Sequence, residues 1–403
     1  MTAAFLLAAF FTVAKTVTNG WSFVDPDGRP FYVRGVDHVR YDGHWCGKLR
    51  TFPYRDWNRG HYPSRGAWEA ETLARLREWN FNTLTGKPDE SLLGRGFAHT
   101  RTVDIGKRLC AKDSPAEDWI AQGSSPCKAF PNVFSTNFVR VCEELAAREC
   151  APHRDERDLV GYFLDNELAW WGTAPVEKRG SAEAMYDTAM SLPEGHSARR
   201  AAEAFGGSKA EFLALVAERY FSVASAAVRK ADPNHLVLGA RFAGFGGAAE
   251  PVWIAAGRHC DVVSFNLYPW IDFEGRRLQV WQSDPRELGE TFDRYQALAR
   301  KPFMITEWSF IGLDAGLPCR KGMGQRFPTQ AERARAIRTL CGFFAKKRYV
   351  VGDDYFMWVD EPALGIGKNF GEDSNYGLVS GEGRPWPEVV EVFRTRTLVE
   401  ERK

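Results

Sequence analysis

The stretch GYFLDNELAWW, residues 161–171, decides how the rest of this chain is read. Together with Leu159 and Val160, its first half is apolar and β-prone (Tyr162, Phe163, Leu164), the pattern of a strand buried on both faces. The run then stops abruptly at Asp165, Asn166 and Glu167, and two tryptophans, Trp170 and Trp171, follow. A strand that ends in acid and amide groups beside indole rings suits polar chemistry on a sugar ring. A solvated strand end beside two core tryptophans is the plainer alternative. The choice turns on whether a second carboxylate is presented in the same way elsewhere.

Outward from this strand, short apolar runs alternate with amphipathic helical patterns. Strands are expected over 31–39, 82–85, near Val103, and over 159–167, 236–242, 261–269, 302–308 and 355–359. Helices are expected over 67–79, opened by Ser64, and over 138–149, 209–230, 285–300, 330–346 and 387–394, with one more between 242 and 261. Residues 44–62 and 107–131 read as loops, and 173–207 as an insertion. Eight strand–helix units without an internal repeat predict an α/β fold, a single (β/α)8 TIM barrel spanning 31–403. A doubly wound open sheet is the rival, but no GxGxxG follows the first strand.

Residues 1–30 form a separate problem. Residues 3–14 resemble the apolar core of a signal peptide, yet no Lys or Arg precedes them, and twelve residues are too few to span a bilayer. The competing reading is a β-hairpin packed on the barrel: a strand over 10–17 turned by Thr18-Asn19-Gly20 into Trp21–Val24, then by Pro26-Asp27-Gly28 into a third strand. The hairpin is the reading taken here, which favours a cytoplasmic location over secretion.

Composition narrows the partners. With 53 basic and 52 acidic residues the formal net charge is +1, so no global charge draws the chain to nucleic acid or to an anionic membrane. The 14 Trp, 28 Phe and 12 Tyr suit a large core and stacking faces for flat ligands. None of the eight cysteines forms a CxxC pair or has histidines at zinc-finger spacing, so no metal is expected. Cys46, Cys110, Cys127 and Cys319 fall in loops, where pairing is open.

In a barrel the chemistry sits where strands end at the C-terminal face. Two glutamates leave strand ends there: Glu167 from strand four and Glu307 from strand seven, which face each other across eight strands. Hydrolysis of a glycosidic bond needs such a pair, one carboxyl protonated and one ionised. Around them, Asn166 is placed to bond a sugar 2-OH, Tyr268 to donate to Glu307, and Arg241 to offer a fixed positive charge. Trp308 and Trp358 offer stacking faces, and His38 and Trp171 are further candidates for contact with substrate.

Asn166-Glu167, Glu307, Tyr268 and Trp358 at these strand ends resemble the retaining glycoside hydrolases of clan A. Within that clan the chain is similar to agarase-like β-galactoside hydrolases, through VDPDGRPFYVRGVDHVRYDG (24–43), FPNVFSTNF (130–138) and DLVGYFLDNELAWWG (158–172). The resemblance implies Glu167 as general acid/base, Glu307 as nucleophile, Asn166 on the 2-OH, Tyr268 supporting Glu307, and Trp358 flooring the subsite of the cleaved sugar. It implies no cofactor and an oligosaccharide or polysaccharide substrate, with an agar-type β-galactoside leading. β-Glucosides or β-mannosides are the alternative within the clan. A non-catalytic sugar-binding barrel and a metal-dependent hydrolase are the rivals outside that chemistry.

Overall fold

The computed structural model describes residues 9–15, 20–123, 127–368 and 371–396. Its centre is a curled sheet of nine parallel segments. From the first barrel strand (Val33–Asp37) the order runs through Thr83–Thr85, Ala98–Thr102 and Leu159–Phe163 on one side. On the other side it runs through Val350–Tyr355, Phe303–Trp308 and Val263–Asn266. The two ends of this order are halves of one strand: Leu236–Val237 pairs with strand four and Phe242–Ala243 with strand six. Strand five is therefore broken in the middle, at Leu238–Arg241, and its two halves close the barrel. Gly239 and Arg241 take positive φ in the break, and their carbonyls accept from Leu164 N and Glu167 N.

The sequence reading of eight strands in a (β/α)8 barrel agrees with this architecture. Several details differ. Strand eight lies at Val350–Tyr355, not over 355–359. Its Gly352, Asp353 and Asp354 are buried, and buried acids hide a strand from any reading based on apolar runs. Strands two and three are joined by a short 3-10 turn (Glu90–Leu92), and strand three lies at Ala98–Thr102, just before Val103. The loop over 44–62 contains a helix (Pro53–His61), and the loop over 107–131 a small ribbon, Trp119–Ala121 with Phe130–Pro131. The insertion over 173–207 contributes two helices, Ala184–Met190 and Ser197–Glu203.

Helix ends follow local chemistry. Ser64 caps Arg65–Glu78 by accepting from Ala67 N. Ser208 with Glu211, and Thr329 with Glu332, form reciprocal capping boxes on Lys209–Ala231 and Gln330–Lys346, which satisfy amides that have no partner within the helix. None of the helices among the described residues is long and apolar enough to cross a membrane.

Inside the barrel the layers differ in character. The lower layer is apolar: Val33, Val160, Leu238, Val262, Met304 and Val351 cluster there with Phe11 and Phe23. Phe11 adjoins, and Phe23 belongs to, a small antiparallel sheet in which Thr12–Lys15 pairs with Trp21–Val24. That sheet stops the barrel floor, and each buried Phe contributes about 1.5–3 kcal/mol. Of the hairpin reading, Thr18 and Asn19 lie outside the described residues, as do residues 1–8 of the signal-like run. The upper layer is polar: Asp37, Thr85, Ser264, Thr306 and Asp354 are all fully buried. Gly161 in strand four lies against strand five, where a Cβ would meet Leu236 O at 2.3 Å. No larger residue fits without pushing the two strands apart.

Candidate active site

Strand four stops at Phe163, and residues 164–167 leave it along the broken strand five. Asp165 turns inward: it accepts from Gly106 N at 2.8 Å and from Tyr220 Oη at 2.5 Å, and is 1% exposed. It anchors the loop. Burial pushes its carboxyl up to about 7. Glu167, at φ 52, then points into an open cleft of about 730 Å³ that it shares with Asn166, Arg241, Glu307 and His38.

Glu167 and Glu307 stand in different settings. Glu167 Oε1 accepts from Asn266 Nδ2 at 2.9 Å, and Oε2 lies 3.6 Å from Cys127 Sγ. Burial, then the charge of Glu307, push its carboxyl up to about 7 against the opposing pull of Asn266 and Arg241. Glu307 Oε1 accepts from Arg241 Nη2 at 2.7 Å, and Oε2 from Tyr268 Oη at 3.0 Å. Arg241 is itself buried and reaches Asp37 Oδ2 at 3.1 Å and the Thr306 carbonyl at 3.0 Å. Burial opposes its charge, but Asp37 and Glu307 outweigh that and hold the guanidinium above its ordinary value. Burial and Glu307 raise the Tyr268 phenol, which stays a donor. One carboxyl thus faces amide and thiol, the other a cation and a phenol.

Asn266 is a residue the sequence reading did not single out. Thr306 Oγ1 donates to its Oδ1 at 2.9 Å, which fixes the amide so that Nδ2 faces Glu167 and, at 3.3 Å, Asn166 Oδ1. The signal was available: Asn266 precedes Tyr268 by two, which puts both on one face of the strand expected over 261–269. Asp37, at the end of strand one, was likewise passed over. It anchors Arg241 and accepts from Thr85, and burial pushes its carboxyl up to about 6 despite Arg241. Cys127 became visible only through folding, since 40 residues separate it from Glu167. All eight cysteines are free thiols.

Two agarase sequences match this chain along nearly its whole length. β-Agarase A of Vibrio sp. (strain JT0107) is 25% identical across 96% of this chain and 45% of its own length. β-Agarase B of the same organism is 23% identical across 96% of this chain and 47% of its own. The chain is a distant homologue of the β-agarases. It spans about half the length of these two relatives, and no family model matches it. Among solved structures, the agarase AgWH50C superposes with a TM-score of 0.75 at 23% identity, over 96% of this chain and 62% of that one. An exo-β-agarase gives 0.68 at 19% identity, over 96% and 64%. These two show a shared fold.

In this agarase-like barrel the cleft gathers Asn166, Glu167, Arg241, Glu307 and His38, with Tyr268 bonded to Glu307. His38 also takes positive φ. Burial, then His44, lower its imidazole well below the usual value, so it is neutral at pH 7, and its Nδ1 has no protein partner. The three tryptophans are a correction. Trp358 is 0% exposed, donates to Tyr54 Oη at 3.1 Å and lies on Trp79. Trp308 is 0% exposed and donates to Asp353. Trp171 packs beneath the Arg179 guanidinium, 4.8 Å from its ring centre. Trp308, at the end of strand seven, and Trp358, in the loop after strand eight, belong to the main core, and Trp171 packs in a small cluster with Ala169 and Ala184. Among the described residues no group of three or more His, Cys, Asp or Glu is arranged to hold a metal ion.

Proposed function

We propose that this chain is a retaining glycoside hydrolase acting on a β-linked galactan of agar type. The observation that carries the reading is the opposite electrostatic setting of two carboxyls in one cleft. Glu167 is pushed up to about 7, toward its protonated form, while Glu307 is bonded by the Arg241 cation and the Tyr268 phenol. That split is what acid-assisted displacement at an anomeric carbon requires.

In the first step a Glu307 oxygen attacks the anomeric carbon while the C–O bond to the leaving sugar breaks. Glu167 gives its proton to the departing oxygen. A glycosyl ester on Glu307 results, and Glu167 is left ionised. In the second step Glu167 takes a proton from water, the hydroxide attacks the anomeric carbon, and the ester bond to Glu307 breaks. Two inversions restore the β configuration. Asn166, positioned by Asn266, bonds the 2-OH, and His38 offers a neutral imidazole to a second hydroxyl. The galactan is suggested by the two β-agarase relatives.

The test is hydrolysis of agaro-oligosaccharides followed by NMR of the fresh anomer. A β product formed first supports retention. An α product would exclude the double displacement, and sugar binding without turnover would favour a binding protein.

A further inference from the structure

Aromatic platforms are the usual way to hold a neutral sugar polymer, and this cleft is built otherwise. No Trp, Tyr or Phe is among the described side chains that line it. Beyond Glu167 its wall carries Lys87, Lys107 and Lys112. A second cavity of about 490 Å³ adjoins it, sharing Lys87, Asp104 and Lys107 as a common wall and touching neither catalytic glutamate.

The cations of this double cavity exceed its carboxylates. Lys87 and Lys107 both pair with the single Asp104, the second at 3.6 Å. Arg101 is taken by Glu90 at 2.9 Å and Arg148 by Glu149 at 2.7 Å. Arg108 in the second cavity and Lys112 in the first meet no carboxylate within salt-bridge distance among the described residues. Both are exposed, so each keeps its charge and stays free to bond. The neighbouring backbone explains the clustering. Lys107 and Arg108 sit in the last turn of the short helix Ile105–Leu109, where basic side chains are favoured. The amide of Gly106 in the same helix is tied to Asp165, which sets this basic edge beside the catalytic loop.

We propose that the second cavity receives an oxyanion substituent of the sugar chain, a sulfate ester or a carboxylate, carried on a residue away from the bond being cleaved. Arg108 within the second cavity and Lys107 on the common wall hold the anion, Lys107 exchanging its long contact with Asp104 for it, and Lys112 adds positive charge from the first cavity. The substrate class is then a substituted, anionic galactan. This rests on the hydrolase reading above and extends it.

The experiment compares three matched tetrasaccharides of one backbone: neutral, 6-sulfated and 6-carboxylated. Wild-type kcat/KM at low salt should favour at least one anionic substrate by about tenfold or more, with the preference shrinking toward unity near about 1 M salt. Arg108→Glu with Lys112→Glu should abolish the preference, and the milder Arg108→Gln with Lys112→Gln should reduce it. The two anionic substrates separate sulfate from carboxylate. Equal turnover of all three by the wild type would overturn the proposal, as would a preference that survives in both variants. If none is cleaved, the hydrolase reading fails. Titration of the same sugars into Glu307→Ala by calorimetry then still decides: salt-sensitive binding of the anionic ones alone supports the site, and its absence overturns it.

Discussion

Arg241 grips Glu307 from inside the barrel, Nη2 to Oε1 at 2.7 Å, with the arginine side chain 4% and the glutamate 13% exposed. The pair exists because strand five breaks. A regular strand would carry residue 241 onward in the sheet, but the positive φ at Gly239 and Arg241 turns the guanidinium across to strand seven. A largely buried ion pair anchored on Asp37 keeps its geometry, which an exposed pair would not.

If Glu307 is the nucleophile, Glu307→Gly should lose hydrolysis by about a thousandfold or more. Azide should restore turnover and yield the β-glycosyl azide where Glu167 is intact. Near-normal turnover by the glycine variant would show the assignment to be wrong.

The pH profile should fall on its alkaline side near the value of Glu167, about 7. The sign follows from its role: the acid works protonated, so activity is present below that value and lost as pH rises through it. Asn266 stabilises the ionised form. Asn266→Ala should therefore move the alkaline limb to higher pH, and Glu167→Gln should erase it. A limb that ignores both changes would remove Glu167 from the acid role.

Tyr220→Phe takes away the 2.5 Å donor to Asp165 and should destabilise the fold by about 1–3 kcal/mol. Burial raises Asp165 to about 7 from its ordinary value near 3.8, so the folded state holds its proton more tightly than the unfolded one. Stability from this residue therefore declines as pH rises between those values. The loss in the variant should be larger above pH 7, where the carboxylate is ionised and short of a donor. Urea midpoints at pH 6 and pH 8 measure it; equal losses at both would refute the coupling.

Trp358→Phe distinguishes a core residue from a sugar platform. Losing the indole donor to Tyr54 and the fit against Trp79 should lower stability by about 1–3 kcal/mol and leave KM within about threefold. A KM rise of tenfold or more in a variant of unchanged stability would return Trp358 to the substrate.

Much of this was legible in the chain because it depends on local pattern. The alternation of buried strands and capped helices announces the barrel, and a barrel puts strand ends on one face. Glu167, Asn166, Tyr268 and Glu307 could be read as neighbours although up to 141 residues separate them in sequence. Strand eight was misplaced because its Asp353 and Asp354 are buried, against the tendency of acids to lie outside. Asp353 is matched by Arg396, Tyr32 and Trp308, drawn from three distant segments.

By itself, then, the sequence determined the architecture and the two glutamates, since hydrophobic period and strand-end position are properties of short stretches. Only the tertiary structure decided that Glu167 keeps Asn266 and Cys127 as partners, which tryptophans turn to the core, and that lysines and arginines rather than Trp, Tyr or Phe line the cleft. Those outcomes depend on where the chain breaks and closes: the kink at Gly239–Arg241 sets one guanidinium on Glu307, and packing area draws each indole inward. Neither can be read from residues near in sequence, because the atoms that settle them meet only when the barrel shuts.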